Sequence, residues 1–256
     1  MELPYAELRP AVPSDTKGNF LVINCAEGTY MHKNFLYELG RFLLKGYAGL
    51  LFTLDVHWHE RKLPDGPKLF VANHPSATDP FMIHLLSRMS VLISGNAFSF
   101  PLLGRLIRGT GQIPVNRGQG NQALDDARRL LEAGHSVGIF PEGTFSPRTG
   151  GLQEPRTGAA RLAIHTGVPV IPVGIYLPIE RSHKIVSHLS GTPTVGYWYF
   201  RGPYAITVGK PLEFQGDAED KLHVRSASQN MMDWIRALAA ESERRLHPLA
   251  PSKFAI

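Results

Sequence analysis

Downstream of residue 63 the chain alternates short apolar runs with amphipathic stretches of helical period. The runs at 68–72, 91–94, 136–140, 168–175 and 204–208 are rich in Val, Ile and Phe and bounded by turn residues, which predicts strands. Between them, 80–88, 101–108, 121–133, 157–166 and 226–246 predict helices, two of which stop at a glycine suited to a left-handed C-cap, Gly134 and Gly167. This alternation predicts an α/β fold, a mixed central sheet flanked by helices.

Residues 33–56 break the pattern. Phe35, Leu36, Leu39, Phe42, Leu43, Leu50, Leu51 and Leu54 dominate a long helical stretch that Glu38, Arg41 and Lys45 interrupt. Only 46–54 is free of charge, well short of the roughly 20 apolar residues a bilayer span needs. A conventional transmembrane helix is therefore not expected. Two readings stay open: a helix packed on the core, or an amphipathic hairpin in the bilayer interface. Phe35, Tyr37, Phe42, Tyr47, Phe52 and Trp58, with Arg41, Lys45, Arg61 and Lys62 near them, speak for the second. Residues 1–30 read as an irregular arm with one candidate strand at 20–23, and the prolines and acids of its first 19 residues do not make a secretory signal. The expected division is 1–62, an arm plus an N-terminal helical membrane-associating element, and 63–256, the α/β domain.

Composition narrows the class. With 43% hydrophobic and 19% charged residues among 256, the chain can bury a substantial core and is not a disordered polymer. A net charge of +5 and a pI near 9.4 suit an anionic partner such as a phospholipid surface, a phosphate substrate or an acidic carrier protein. The basic residues are spread rather than clustered and no nucleic-acid-binding motif occurs, so a nucleic-acid partner is not expected. One cysteine, Cys25, permits neither an intramolecular disulfide nor a Cys-rich metal site. A reducing compartment is the simplest fit.

Four segments carry candidate chemistry. In Val71-Ala-Asn-His-Pro-Ser-Ala-Thr-Asp-Pro80 a strand runs out into a proline-started helix. Pro75 prevents an unbroken helix from His74, and a turn there can bring Asp79 back to one imidazole nitrogen, leaving the other as a general base. Ser76, Thr78 and Asp79 are also good capping residues, so capping alone would account for them as well. Phe140-Pro-Glu-Gly-Thr-Phe-Ser146 puts Glu142, Gly143 and Thr144 at the end of a strand, where α/β sheets gather ligands. Gly111-Gln-Ile-Pro-Val-Asn-Arg-Gly118 delivers Arg117, whose planar fork suits phosphate oxygens. Val168-Pro-Val-Ile-Pro-Val173 is an apolar strand whose two prolines predict an edge or a bulge, and which could wall an acyl chain.

Together, in this order, the four segments resemble the blocks of the glycerolipid acyltransferase family, the PlsC-like 1-acyl-glycerol-3-phosphate acyltransferases, over residues 65–180. Asn73-His74 with Asp79 match the first block (an HX4D motif), Ile113 to Arg117 the second, Phe140 to Thr144 the third and Val168 to Pro172 the fourth. The resemblance implies that His74 deprotonates an acceptor hydroxyl as it attacks an acyl thioester, with Asp79 supporting the imidazole. It implies acceptor binding by Arg117, Glu142, Gly143, Thr144 and Arg156, and a donor side formed by Val170, Ile171 and Pro172. Neither a covalent acyl-enzyme, a metal nor a cofactor is implied, and the co-substrate is acyl-CoA or acyl-ACP. Where the third block commonly continues with arginine this chain has Phe145, so one phosphate contact is missing or falls to Arg148.

The expected activity is transfer to 1-acyl-glycerol 3-phosphate, giving phosphatidic acid. Glycerol 3-phosphate or another lipid acceptor is the alternative, followed by a non-catalytic membrane-binding protein of the same fold. The expected partners are a phospholipid membrane surface and possibly acyl carrier protein, with the protein peripheral or monotopic on the cytoplasmic face of a membrane. His57 and His59 could share one face of a strand, but the metalloprotease order is absent and no metal site is expected. Residues 180–202 carry no readable function.

Overall fold

The computed structural model describes residues 27–188 and 193–247. Its elements run α1 (Glu27–Leu51), β1 (Phe52–Trp58), β2 (Leu69–Ala72), α2 (Asp79–Met82), β3 (Ser90–Ser94), α3 (Pro101–Gly109), β4 (Ile113–Val115), α4 (Gly120–Glu132), β5 (Val137–Ile139), α5 (Gly158–Thr166), β6 (Val170–Tyr176), β7 (His183–Ser187), β8 (Thr194–Trp198), β9 (Gly202–Val208) and α6 (Lys221–Leu246). Seven strands form one sheet in the order β1-β9-β6-β2-β5-β3-β4, and β7 and β8 make a separate hairpin. Only β6 and β9 pair antiparallel within the large sheet, which makes it mixed.

Strand alternation divides the apolar residues between two cores. Phe70 and Ala72 face Ala48 of α1, Met82 of α2 and Ile107 of α3, whereas Leu69 and Val71 face Ala127 of α4, Ala160 of α5 and Met231 of α6. Both faces are thereby covered, as parallel strands require. At Gly174 a Cβ would lie 2.1 Å from the Ala239 nitrogen, so glycine is what lets α6 rest directly on β6.

Two elements depart from the sequence reading, and a third takes one of the two forms it allowed. The stretch read as helix to residue 56 stops at Leu51, and Phe52–Trp58 becomes the edge strand β1, paired parallel with β9. Helix 80–88 shrinks to α2 and a 3-10 turn, Ile83–Leu85. Side chains compete for its backbone acceptors: His84 Nδ1 donates to Pro80 O at 2.6 Å and Arg41 Nε to His84 O at 3.0 Å, which favours ending the helical ladder there. Finally, β6 is central, not an edge. The register slips by one residue between the Val173–Val208 and Val170–Leu212 pairs, and Pro172 sits at that bulge, where its missing N–H costs no ladder bond.

The N-terminal helix is single rather than a hairpin, with one face packed on the core and the other exposed. Tyr37 and Ala48 are buried on the core, with Leu44 and Tyr47 packed beside them. On the other face Phe35, Phe42, Leu43 and Leu50 stand 65%, 72%, 60% and 82% exposed. Leu102 and Leu106 of α3 are exposed too, and α3 packs on α1, where Gly40 meets Leu106 and Gly109 meets Leu36. No described helix is long and apolar enough to cross a membrane. The candidate strand at 20–23 and Cys25 lie outside the described residues.

Candidate active site

At the carboxyl end of β2 the ladder is prolonged by a side chain. Asn73 Nδ2 donates to Ile175 O at 2.8 Å and Asn73 Oδ1 accepts from Ile175 N–H at 2.7 Å. The chain then turns, and Asp79 comes back to His74: Nδ1 donates to Asp79 Oδ2 at 3.0 Å. Ser76 N–H donates to the same oxygen at 2.7 Å, and Tyr204 OH donates to Oδ1 at 2.7 Å. Capping bonds are present, Ser76 Oγ accepting from Thr78 N–H at 3.2 Å, but capping alone does not account for the turn, because Asp79 also holds His74 and Tyr204. The hydroxyls of Ser76 and Thr78 donate to Tyr197 O and Tyr199 O, tying the turn to β8 and the residue after it.

Asp79 is fully buried, and burial pushes its carboxyl above the ordinary value against the pull of His74, Ser76 and Tyr204. Burial and the adjacent Asp79 charge hold the Tyr204 phenol well above the ordinary tyrosine value, so it stays a donor. With Nδ1–H given to Asp79, the Nε2 lone pair of His74 is left as the base. The imidazole is 15% exposed and lies between two rings, Phe140 at 4.3 Å and Phe145 at 4.6 Å between centroids.

Glu142 has a different task from the one the sequence suggests. Its Oε1 accepts from His74 N–H at 3.0 Å and from Ser146 Oγ at 2.6 Å, and its Oε2 from Gln153 N–H at 2.8 Å. Buried and occupied on both oxygens, it braces the backbone of His74 rather than meeting a substrate. Burial raises its carboxyl pKa as well. Glu142→Gln presents an amide NH2 where a buried donor now finds an acceptor, so it should cost about 1–3 kcal/mol of stability as well as most activity. Denaturant melts beside initial rates check this, and an unaltered melt would refute the bracing role.

The remaining residues form a rim or lie in the interior. Gly143 (φ 63°) and Thr144 are exposed, and a Cβ on Gly143 would fall 2.3 Å from Arg156 Nε, so the glycine lets the Arg156 side chain cross the turn. Arg117 is exposed just after β4. Because β2, β5, β3 and β4 run parallel, His74, Glu142 and Arg117 share one edge of the sheet. Arg117 starts three strands from His74, roughly 14 Å at ordinary strand spacing. Arg148 does not replace the arginine absent at 145: its guanidinium donates to Pro75 O and Ile179 O and lies 4.6 Å over the Tyr197 ring. Val170, Ile171 and Pro172 form no donor wall either, being buried in β6 between its neighbours. The apolar space lies elsewhere, in a cavity of about 350 Å³ between α1, α2, α3 and β8, lined among others by Tyr37, Leu44, Phe81, Ile107, Trp198 and Phe200. Thr78, next to Asp79, also lines it.

A base held by a buried carboxylate at a strand-to-helix turn of an α/β sheet, with an apolar cavity behind the turn, suits proton removal from the hydroxyl of an apolar acceptor. The Acyltransferase family matches residues 53–176. A lyso-ornithine lipid O-acyltransferase of Pseudomonas aeruginosa is 37% identical over 197 residues, covering 71% of this chain and 73% of that protein. A 1-acyl-sn-glycerol-3-phosphate acyltransferase of Haemophilus influenzae is 33% identical over 164 residues, covering 59% and 68%. The chain belongs to the PlsC-like glycerolipid acyltransferase family. Against chloroplastic 1-acyl-sn-glycerol-3-phosphate acyltransferases, such as that of Brassica napus (34% identical over 113 residues), it spans about a third of the relative's length. The crystal structure of the 1-acyl-sn-glycerophosphate acyltransferase PlsC of Thermotoga maritima shares the fold, with a TM-score of 0.57 at 18% identity over 90% of this chain and 86% of that one.

Proposed function

We propose that this protein moves a fatty acyl chain from a thioester, acyl-CoA or acyl-ACP, to a hydroxyl of a lysolipid, 1-acyl-glycerol 3-phosphate giving phosphatidic acid. The observation that carries this reading is the His74 imidazole, fixed by a buried Asp79 and open at Nε2. His74 Nε2 takes the hydroxyl proton as the oxygen attacks the thioester carbonyl. The carbon–sulfur bond then breaks, and the departing thiolate receives the proton from the imidazolium. No cofactor beyond the thioester enters this sequence. The cavity behind the turn houses an acyl chain, and the exposed face of α1 rests on the cytoplasmic surface of a membrane, so that a lipid acceptor reaches His74 without crossing water.

A second acceptor class has support of its own. Phe145 puts an aromatic ring at the imidazole, and Arg148 is engaged, so phosphate recognition falls to the exposed Arg117 and Arg156. The lyso-ornithine lipid relative is matched over more of this chain than the Haemophilus influenzae one. Purified protein assayed with 1-acyl-glycerol 3-phosphate, glycerol 3-phosphate and lyso-ornithine lipid against acyl-CoA and acyl-ACP decides between them. Turnover with none of these acceptors would overturn the proposal. If the acceptor is a phosphate, Arg117→Lys should raise its KM about tenfold with the donor KM kept, because the charge remains and the fork is lost. An unchanged acceptor KM would exclude Arg117 from headgroup binding.

A further inference from the structure

Away from His74, β1 and α6 bring three side chains of ligand type together. His57 ends the exposed face of β1 and His59 follows two residues on, so both rings leave the chain on one side, with centroids 5.7 Å apart. Glu241 of α6 faces both: Oε1 is 3.8 Å from His57 Nε2, and Oε2 is 2.9 Å from His59 Nε2. The three ligand atoms all fall within 4.8 Å of one another.

These spacings fit a metal. Ligands about 2.0–2.1 Å from a tetrahedral zinc stand about 3.3 Å apart, a value that the two nitrogen–oxygen separations bracket. The imidazole nitrogens facing the carboxylate are both Nε2, so a shift of each proton to Nδ1 frees two lone pairs toward one point. Behind the carboxylate, Arg245 Nη1 lies 3.5 Å from Glu241 Oε1 while its Nε donates to Asp55 Oδ2 at 2.7 Å and its Nη1 to Thr207 Oγ1 at 2.7 Å. It thereby orients Glu241 in the way outer partners orient metal ligands. His57 is half exposed and the other two partly so, which leaves an entry path and room for a water.

We propose that His57, His59 and Glu241 bind a divalent zinc-type cation, with water completing the shell, and that the ion fastens the edge strand β1 to α6. The site is structural and not part of acyl transfer. Tyr204, which holds Asp79, pairs with Leu54, whereas His57 pairs with Thr207, roughly 10 Å further along the ladder. Its use lies in what β1 carries. The strand continues directly from α1, so a clamp between β1 and α6 holds the root of the helix that meets the membrane.

The full chain, stripped with chelator and titrated with zinc chloride in a calorimeter, tests this. One equivalent should bind the wild type, and zinc should raise its melting temperature. His57→Gln, His59→Gln and Glu241→Gln should each weaken binding at least tenfold and abolish the thermal shift, while acyl transfer by each stays at the wild-type rate. Circular dichroism of the metal-free variants separates a lost ligand from a lost fold. Absence of stoichiometric binding by the wild type, or equal binding by all three folded variants, would overturn the site.

Discussion

Replacing His74 by Ala should lower acyl transfer by on the order of a hundred- to ten-thousandfold while the fold survives. The imidazole sits at the rim of the sheet rather than in either core, and Asp79 keeps Ser76 N–H and Tyr204 OH as donors after its removal. A pH signature should accompany the loss. Burial raises the folded-state pKa of Asp79, so the native state binds its proton more tightly than the unfolded chain does. Stability therefore falls as pH rises from the ordinary carboxylate value through the raised one, and the fall should be larger and extend to higher pH in the variant, which lacks the imidazole donor. Initial rates and melts across pH measure both effects. A folded variant with near wild-type turnover would refute the base assignment, and a rate loss explained by unfolding would move His74 into the class of Glu142.

The contrast between those two residues marks how far the sequence could be read. His74 and Asp79 are five residues apart, and Pro75 between them already requires a turn, so their meeting is a local matter that the chain spells out. Glu142 is 68 residues from His74, and nothing in its segment says that both carboxylate oxygens will be occupied by His74 N–H, Ser146 Oγ and Gln153 N–H. Tyr204 was legible only as an apolar position of a strand. Its hydroxyl meets Asp79 because β9 lies beside β6, and no local pattern encodes that neighbour. The proline-bearing strand shows the same limit. Two prolines do signal a broken ladder, but the break is supplied by a bulge against β9 inside the sheet rather than by a free edge. The segment 180–202 resisted reading because, among the described residues, β7 and β8 pair with each other and not with the large sheet, and its tie to the site joins backbone carbonyls of Tyr197 and Tyr199 with ring contacts to the distant Phe145 and Arg148, which no local pattern encodes.

Substitution of Phe35, Phe42, Leu43 and Leu50 by Ser should release the protein from membranes without unfolding it. These side chains are exposed on the outer face of α1, Leu43 also bordering the cavity, so the packing made by Tyr37, Leu44, Tyr47 and Ala48 stays intact. Full burial of one such side chain is favourable by about 1.5–3 kcal/mol, so partial insertion of four amounts to several kcal/mol. Their loss should lower vesicle partitioning on the order of a thousandfold. Exposed Lys45, Arg61 and Lys62 would each add about 1 kcal/mol on an anionic surface, and that share alone should weaken with added salt. Wild-type flotation with anionic vesicles should therefore drop in high salt yet persist, whereas the four-fold variant should keep only a salt-sensitive remnant. Transfer to an acceptor presented in vesicles should fall with flotation, while transfer to the same acceptor in detergent micelles should survive. Parallel losses in both formats would mean that α1 supports the site through the cavity it walls, and undiminished flotation of the folded variant would place the membrane contact on another face of the molecule.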